Sequence, residues 1–318
     1  MDFKIRTDLA VELREDIDKS DNELKGIKVL EDYENDGRIK ITKVIIENEY
    51  GSKFFGKEIG TYITLESKDL AEMDEGYHRN ISRVLAKYVK ELLPEKECCK
   101  VLMVGLGNRE ATPDSLGPRV VDNICITRKM TEEYMSESLL EKCGEYEVSG
   151  IVPGVMAQTG MESAEIIKGI AEEIKPDVII AIDSLAARNT GRLNTTIQIS
   201  DTGINPGSGV GNHRKGLTKE TVGVPVIAIG IPTVVDAATI VNDTMENLIN
   251  IFSVSDDLVT LSNTLKNFTV EEKYQLVKEV IAPELSTMYV TPKDVDETIK
   301  SISYTISEGL NIIWEGNI

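Results

Sequence analysis

Two aspartates in this 318-residue chain have the residue type and the surroundings of acid–base catalysts. Asp114 follows the glycine-rich turn Gly105–Asn108, and Asp183 comes directly after the apolar run Val178–Ile182. Two carboxyl groups held close together cannot both ionise easily, so the pKa of one of them rises. One ionised Asp can then activate a water molecule while the protonated one polarises a peptide carbonyl. The same pair could instead hold a divalent metal ion with its bound water.

Each aspartate also has an ordinary structural explanation. Asp114 precedes a predicted helix, Ser115–Lys129, and could cap its N-terminus. Asp183 could form a salt bridge with Arg188 or Arg192. What favours a catalytic or metal-binding pair is the position that the two aspartates share, each after a buried strand.

The turn Gly105–Asn108 could also cradle a phosphate at the start of a helix. A dinucleotide-binding fingerprint needs a third glycine three residues after the second, and Glu110 stands there instead. Its carboxylate would repel a pyrophosphate, so a tight turn that presents Asp114 is the favoured interpretation. A non-catalytic protein that binds an anionic ligand at its glycine-rich turns stays open as a different class of function.

A second glycine-rich segment, Pro206–Gly216, is typical of a mobile loop or lid and contains Asn212 and His213. The chain has 2 histidines, and the other one, His78, lies in a predicted helix. A histidine in a loop is usually just exposed to solvent. If His213 faces the aspartates, however, it would complete a metal site with Asp114 and Asp183.

Other polar residues near these strand ends are candidates for the walls of a substrate groove. The segment Gly230–Asp236 could contribute backbone groups to such a groove or simply turn the chain. The candidate residues are Asn108, Arg188, Asn212, His213 and Asp236. A nucleophilic triad is disfavoured, because neither Ser115 nor Ser184 lies in a Gly-x-Ser-x-Gly elbow and histidines are few.

The middle of the chain alternates strand and helix patterns. Val101–Val104, Val178–Ile182 and Pro225–Ile229 are continuous apolar runs, which are typical of strands buried on both faces of a parallel sheet. Helical patterns lie between them, at 116–131 and 161–174. The sequence therefore predicts an α/β fold with a mostly parallel twisted sheet flanked by helices. Ligands gather at the carboxyl ends of such strands, where both aspartates lie.

The flanking regions predict an N-terminal β-rich extension and C-terminal helices. Residues 24–66 favour strands, since Arg38–Val44 alternates polar and apolar side chains. Apolar residues in Leu70–Leu93 recur at three and four, which predicts an amphipathic helix that Pro94 ends.

A helix is predicted at 237–252, a surface loop at Ser253–Lys266, and two or three helices at 269–318. We expect one α/β domain over residues 9–318. It comprises an extension with its helix at 9–95, the core sheet at 96–252 and a helical part at 253–318.

The charge of the chain limits its partners. With 35 Lys and Arg against 54 Asp and Glu, the formal net charge is −19. This disfavours direct binding of nucleic acid, which needs an excess of Lys and Arg, and docking on an anionic membrane. Hydrophobic residues make up 41% of the chain, enough to build a core.

Targeting and redox features predict a soluble cytoplasmic protein. The start, Met1–Arg6, is charged where a signal peptide needs an apolar stretch. The longest nearly apolar run, Val222–Val235, is too short to span a bilayer. The adjacent Cys98 and Cys99 suit neither a metal site nor a disulfide framework, which indicates a reducing compartment.

Over nearly its whole length the chain resembles the germination proteases, or spore proteases, of spore-forming bacteria. The segments that carry the resemblance are Arg6–Glu12, Tyr62–Ser67, Val104–Asn108, Thr112–Pro118, Ile151–Met156, Ala181–Arg188, Pro206–Asn212 and Ile227–Ala237.

The resemblance implies an atypical aspartic endopeptidase, without a cofactor, whose essential aspartates fall on Asp114 and Asp183. It implies that the enzyme acts in the forespore and spore core, where it begins the degradation of small acid-soluble DNA-binding spore proteins during germination. It further implies a homotetrameric zymogen that cleaves itself. The cut would fall between Asp8 and Leu9, where an acidic residue, an apolar one and Ala10 follow one another, so residues 1–8 would be the propeptide.

The expected fold is similar to that of hydrogenase-maturation endopeptidases. In those proteins, carboxylates at the positions that match Asp114 and Asp183 bind a metal ion together with a loop histidine, which His213 could match. A metal-dependent maturation endopeptidase that uses Asp114, Asp183 and His213 is therefore the alternative function.

Overall fold

The computed structural model describes residues 8–17, 26–72, 75–128, 146–207, 214–253, 268, 272 and 288–315. These residues build one nine-stranded sheet with helices on both faces. The strands are β1 Ile27–Glu34, β2 Ile39–Ile46, β3 Gly60–Glu66, β4 Cys99–Gly105, β5 Tyr146–Ile151, β6 Val178–Ala187, β7 Thr196–Ser200, β8 Val226–Asp236 and β9 Tyr289–Val290. The helices are α1 Ala10–Ile17, α2 Glu49–Phe55, α3 Glu75–Lys90, α4 Leu116–Asp122, α5 Met156–Thr159, α6 Ser163–Ile174, α7 Lys219–Val222, α8 Ala237–Phe252 and α9 Val295–Glu315.

The order of strands across the sheet is β1-β2-β3-β7-β8-β6-β4-β5, and β9 pairs with β8. The central pairs β5–β4, β4–β6 and β6–β8 are parallel. The strands β1, β2, β3 and β7 continue the same sheet with antiparallel pairing. The predicted α/β class, with its flanking helices and β-rich N-terminal extension, is confirmed.

The apolar runs form strands because both of their faces are covered. In β4, Val101 and Met103 pack in the core on the side of α3, α4 and α9, whereas Leu102 and Val104 pack on the side of α6 and α7. Successive side chains therefore enter two cores in turn, one on each face of the sheet. This is why these strands are apolar at every position and do not alternate apolar with polar residues.

The central strands β6 and β8 are longer than their apolar runs predict. They continue to pair with each other from Asp183 and Gly230 to Ala187 and Val235, with an irregularity between Leu185 and Ala186. The strand β4 ends opposite Ile182, so β6 and β8 continue beyond the end of β4. Asp183 therefore lies inside a strand rather than after it, but it is the first residue of β6 beyond the end of β4.

Several helix boundaries also differ from the expected ones. The helix expected at 116–131 ends at Asp122, where α4 ends, whereas α8 spans the predicted 237–252 and α6 begins two residues after the predicted 161. Within the region predicted as β, residues 49–55 form α2. Asn48 caps this helix by accepting a hydrogen bond from the N–H of Gly51 at 2.9 Å.

At the C-terminal end the structure describes one helix, α9, which packs against α3. Nearly all of the predicted loop Ser253–Lys266, and the predicted helical segments before residue 288, lie outside the described residues. The division of the chain into parts at 9–95, 96–252 and 253–318 stays a prediction.

Candidate active site

The glycine-rich turn after β4 folds tightly back on the segment that carries Asp114. Gly107 has a φ of 110°, and a Cβ atom built on it would lie 2.0 Å from the backbone oxygen of Asp114. A Cβ atom on Gly105 would lie 2.4 Å from the backbone oxygen of Gly117. Only glycine fits such close approaches, so this turn places Asp114 at the edge of the sheet.

Asp114 lies at the end of a 3-10 turn, Thr112–Asp114. Its Oδ2 atom accepts a hydrogen bond from the N–H of Asn108 at 2.7 Å. The hydroxyl of Thr233 on β8 donates to the carbonyl of Pro113 at 2.7 Å and ties the turn to the sheet. The position before α4 is taken by Ser115, so Asp114 does not serve as the cap of that helix.

Asp183 is almost fully buried, with 5% of its surface exposed. Its Oδ1 atom accepts a hydrogen bond from the N–H of Ser184 at 2.9 Å. Arg192 pairs with Glu12 at 3.4 Å and with Glu66 at 3.2 Å, and the backbone N–H of Arg188 donates a hydrogen bond to Glu12 at 2.9 Å.

The two aspartates line one cavity of about 390 Å³ at the carboxyl edge of the parallel strands. Leu106 and Leu185 contribute apolar walls, and Arg214 contributes a positive charge. This is the edge at which α/β sheets bind their ligands, and the cavity is in the size range of small-molecule and peptide side-chain sites.

Burial raises the pKa of both carboxyl groups. Loss of solvent is the largest cause at each of them. The negative charge of Asp114 raises the pKa of Asp183 further, and Asp8 adds to this, so that the pKa of Asp183 lies well above its ordinary value. At Asp114 the hydrogen bond from Asn108 and the charge of Arg214 counteract the rise. Unequal surroundings of this kind separate an acid from a base.

Of the two predicted cleavage residues, Asp8 lies at the same cavity. Its Oδ2 atom accepts a hydrogen bond from the N–H of Ala186 at 3.0 Å. Leu9 is fully buried, in an apolar cluster with Leu185 and Ala187 of β6. The segment that leads into α1 is thus held against the part of β6 that extends beyond the end of β4.

The other predicted groove residues have different positions. Asn108 lies beside Asp114, as described above. Arg188 follows β6, and its backbone N–H donates to Glu12 at 2.9 Å, while Asp236 ends β8 and pairs with Tyr289. Arg188 and Asp236 are not among the described residues that line the cavity. Asn212 and His213 lie outside the described residues.

Arg214 and Thr233 are site residues that we did not expect from the sequence. Arg214 directly follows His213 in the glycine-rich segment, so a basic residue in a predicted loop was an available signal. Thr233 lies in the segment Gly230–Asp236, from which we expected only backbone groups, and the position of its side chain depends on the extension of β8 beyond its apolar run.

Within the described part of the chain, no group of three His, Cys, Asp or Glu side chains is arranged to hold a metal ion. This does not test the alternative metal site, since His213 is outside that part. Among the helices that the structure describes, none is both long and apolar enough to cross a membrane.

Comparison with known proteins gives a consistent result. A family model described as germination protease matches residues 5–257. A protein named Germination protease from Clostridium tetani is 48% identical over 98% of this chain and 95% of its own length. Proteins of the same name from Caldanaerobacter subterraneus subsp. tengcongensis and Clostridium perfringens are 47% and 41% identical, over 97% and 99% of this chain and 93% and 97% of their own lengths.

Proposed function

Because this chain belongs to the germination protease family, we propose that it is an aspartic-type endopeptidase with Asp114 and Asp183 as its catalytic pair. The observation that carries the proposal is the cavity that both carboxyl groups line, where burial raises the pKa of each and the charge of Asp114 raises the pKa of Asp183 further. Peptide hydrolysis needs one group that takes a proton from water and another that gives one to the leaving amine. Two unequal carboxyl groups supply both.

We assign roles to the two aspartates from the difference between their surroundings. Asp183, whose pKa is raised more strongly, carries the proton that the pair shares, and Asp114, held by the N–H of Asn108, is the ionised base. Asp114 takes a proton from water as the water oxygen attacks the carbonyl carbon. Asp183 gives its proton to the amide nitrogen as the C–N bond breaks.

We also propose that the natural substrates are small acid-soluble DNA-binding spore proteins, degraded in the spore core during germination. The name that the relatives carry supports a protease of germination. A net charge of −19 suits an enzyme that must act on proteins bound to DNA without binding the DNA itself.

The zymogen hypothesis belongs to the same proposal. Residues 1–8 are the propeptide, and the chain cuts itself between Asp8 and Leu9. The position of Asp8 at the cavity supports this, because the bond to be cut then lies beside the carboxyl pair.

A metal-dependent endopeptidase that uses Asp114, Asp183 and His213 is the second candidate. Its support is the carboxyl pair, which suits a divalent cation as well as it suits a shared proton. The two candidates differ in their response to a chelator: an aspartic mechanism continues in its presence, whereas a metal-dependent one stops.

The decisive experiment follows self-cleavage by intact mass at mildly acidic pH, with and without a chelator. We expect the wild type to lose residues 1–8 in both conditions, and Asp114→Asn and Asp183→Asn to remain uncut while still unfolding in a cooperative melting transition. The matched control is Asp177→Asn, at the opposite end of β6, where the carboxylate binds Lys96 at 2.5 Å on the surface. Cleavage by either catalytic-pair variant at the wild-type rate would contradict the proposal.

A further inference from the structure

Two side chains that the mechanism above does not use hold the backbone on either side of the Asp8–Leu9 bond. The Nε2 atom of Gln198 donates a hydrogen bond to the carbonyl oxygen of Asp8 at 3.0 Å. The Oε1 atom of the same amide accepts one from the N–H of Ala10 at 2.6 Å. The Nζ atom of Lys57 donates to the same carbonyl oxygen of Asp8 at 2.9 Å. One carbonyl oxygen therefore receives two side-chain donors, one of them an ammonium group.

The register of the sheet shows where Gln198 lies relative to Asp183 of the proposed catalytic pair. Gln198 of β7 is opposite Gly230 of β8, and Gly230 is opposite Asp183 of β6. Residues in one lateral row of a sheet have their side chains on the same face, and neighbouring strands lie about 4.8 Å apart. The side chains of Gln198 and Asp183 thus lie on one face of the sheet, two strands apart. Asp8 lies between them, because its carbonyl binds Gln198 and it lines the same cavity as Asp183.

The segment is fixed on both sides of the bond as well. Upstream, the carboxylate of Asp8 accepts a hydrogen bond from the N–H of Ala186. Downstream, the buried carboxylate of Glu12 accepts hydrogen bonds from the N–H groups of Arg188 and Asn189, each at 2.9 Å. These hydrogen bonds hold the segment on both sides of the Asp8 carbonyl and favour the orientation in which it meets its two donors.

We propose that Lys57 and Gln198 bind and polarise the Asp8 carbonyl for self-cleavage, as catalytic residues additional to the aspartate pair. This inference rests on the proposed function, since it takes Asp8–Leu9 as the bond that is cut. Preorganised donors aimed at an oxygen on which charge develops are among the strongest catalytic devices in acyl transfer.

The step balances as a hydrolysis. The water oxygen bonds to the carbonyl carbon of Asp8, and the C=O electron pair moves to the oxygen, where Lys57 and Gln198 stabilise it. The water proton passes to Asp114. When the C–N bond breaks, the nitrogen of Leu9 takes the proton of Asp183. One water is consumed, Asp8 gains a carboxyl group, Leu9 gains an amino group, and the proton of the pair ends on Asp114.

The surroundings of Lys57 suit this role. Desolvation lowers its pKa, and the charge of Asp8 opposes that effect. An ammonium group with few water molecules around it gives a stronger hydrogen bond to the carbonyl than an exposed one would. Mildly acidic pH favours the protonated form of the group, which carries three N–H donors.

The test compares rates of self-cleavage in the full chain by intact mass at mildly acidic pH. We expect Lys57→Met to slow the loss of residues 1–8 by about 100-fold or more, the usual effect of removing one such donor. Lys57→Arg keeps the charge and an N–H donor, so it should recover most of the rate. The matched control is Lys53→Met on α2, whose ammonium is exposed and pairs with Glu49 at 3.9 Å; it should cleave like the wild type.

A second variant keeps the test decisive if Lys57→Met fails to fold. Gln198→Leu removes the other donor and is expected to slow cleavage to a similar degree. If both variants fold, by their melting curves, and cleave at the wild-type rate while Asp183→Asn stays uncut, the inference fails and the proposed function stands. If Lys57→Arg is as slow as Lys57→Met, a merely structural role is indicated and the inference also fails. A wild type that is never cut after Asp8 would overturn both.

Discussion

At the scale of single residues, the site depends on how differently two identical side chains are surrounded. Asp183 has lost nearly all contact with solvent and has one backbone donor, from Ser184. Asp114 is less buried, and Asn108 and Arg214 stabilise its charge. Residue type alone would give two equal carboxyl groups, so the proposed division into acid and base comes from position.

A raised pKa at Asp183 has a consequence for stability that can be measured. The folded state binds the proton of Asp183 more tightly than the unfolded state does, so stability falls as pH rises through the folded pKa. Asp183→Asn removes this ionisation. We expect the variant to melt about 2–5 °C higher than the wild type at pH 8, with the gain vanishing below pH 4. The measurement is calorimetry at both values, and a variant less stable than the wild type at pH 8 would contradict the assignment.

At the scale of elements, a short turn and an extended strand bring the aspartates together. The turn after β4 depends on Gly107, whose missing side chain lets the backbone of Asp114 approach. The strand β6 carries Asp183 beyond the end of β4 because β8 continues to pair with it. A one-residue change in either element would separate the two carboxyl groups.

Gly107→Ala tests this arrangement. The added methyl group would overlap the backbone oxygen of Asp114, and alanine disfavours a φ of 110°. We expect a loss of about 1–3 kcal/mol in the free energy of unfolding and loss of self-cleavage. Gly169→Ala in α6 is the matched control, because nothing lies within 4 Å of its added methyl group. It should gain roughly 0.5–1 kcal/mol, as alanine favours helix. The measurement is urea unfolding of both variants. Equal changes in the free energy of unfolding would contradict the role of Gly107 in the turn.

How far the sequence predicts these elements depends on whether the cause is local. The apolar runs at Val101–Val104 and Val178–Ile182 are local patterns, and they predicted the buried strands and the edge at which Asp114 and Asp183 lie. The hydrogen bonds between Gln198 and the backbone around Asp8 have no local cause. They need β7 to lie beside β8 and the segment before α1 to cross the face of the sheet that carries Gln198. The helix α2 is too short to show a periodic pattern, although Asn48 as its cap and Gly56 at its end were visible signals.

At the scale of the whole molecule, the surface combines strong negative charge with exposed apolar side chains on α8. Val241, Leu248 and Ile251 follow helical spacing and are 38%, 45% and 65% exposed. A stripe of this kind is typical of a surface that contacts another protein. It is compatible with the homotetramer that we expect from the family resemblance.

Light scattering gives the mass directly. For a tetramer of a 35.1 kDa chain we expect about 140 kDa in solution. Placing charges in the stripe, with Leu248→Asp and Ile251→Asp together, should reduce this mass, whereas Asn250→Asp on the same helix serves as the control. A wild type that scatters as a single chain would contradict the expected assembly.

The junction between β3 and β7 also determines how the protein can form during synthesis. The strand β3 ends at Glu66, and its partner β7 ends at Ser200. A ribosome adding about 5–20 residues per second needs roughly 7–27 s to make the intervening chain. A similar interval separates the emergence of β3 and β7 from the exit tunnel, and during it the β3 edge of the β1–β2–β3 meander is unpaired and open to other nascent chains. Slow codons or chaperone binding between these two strands would therefore change the yield of folded protein more than the same events after β8.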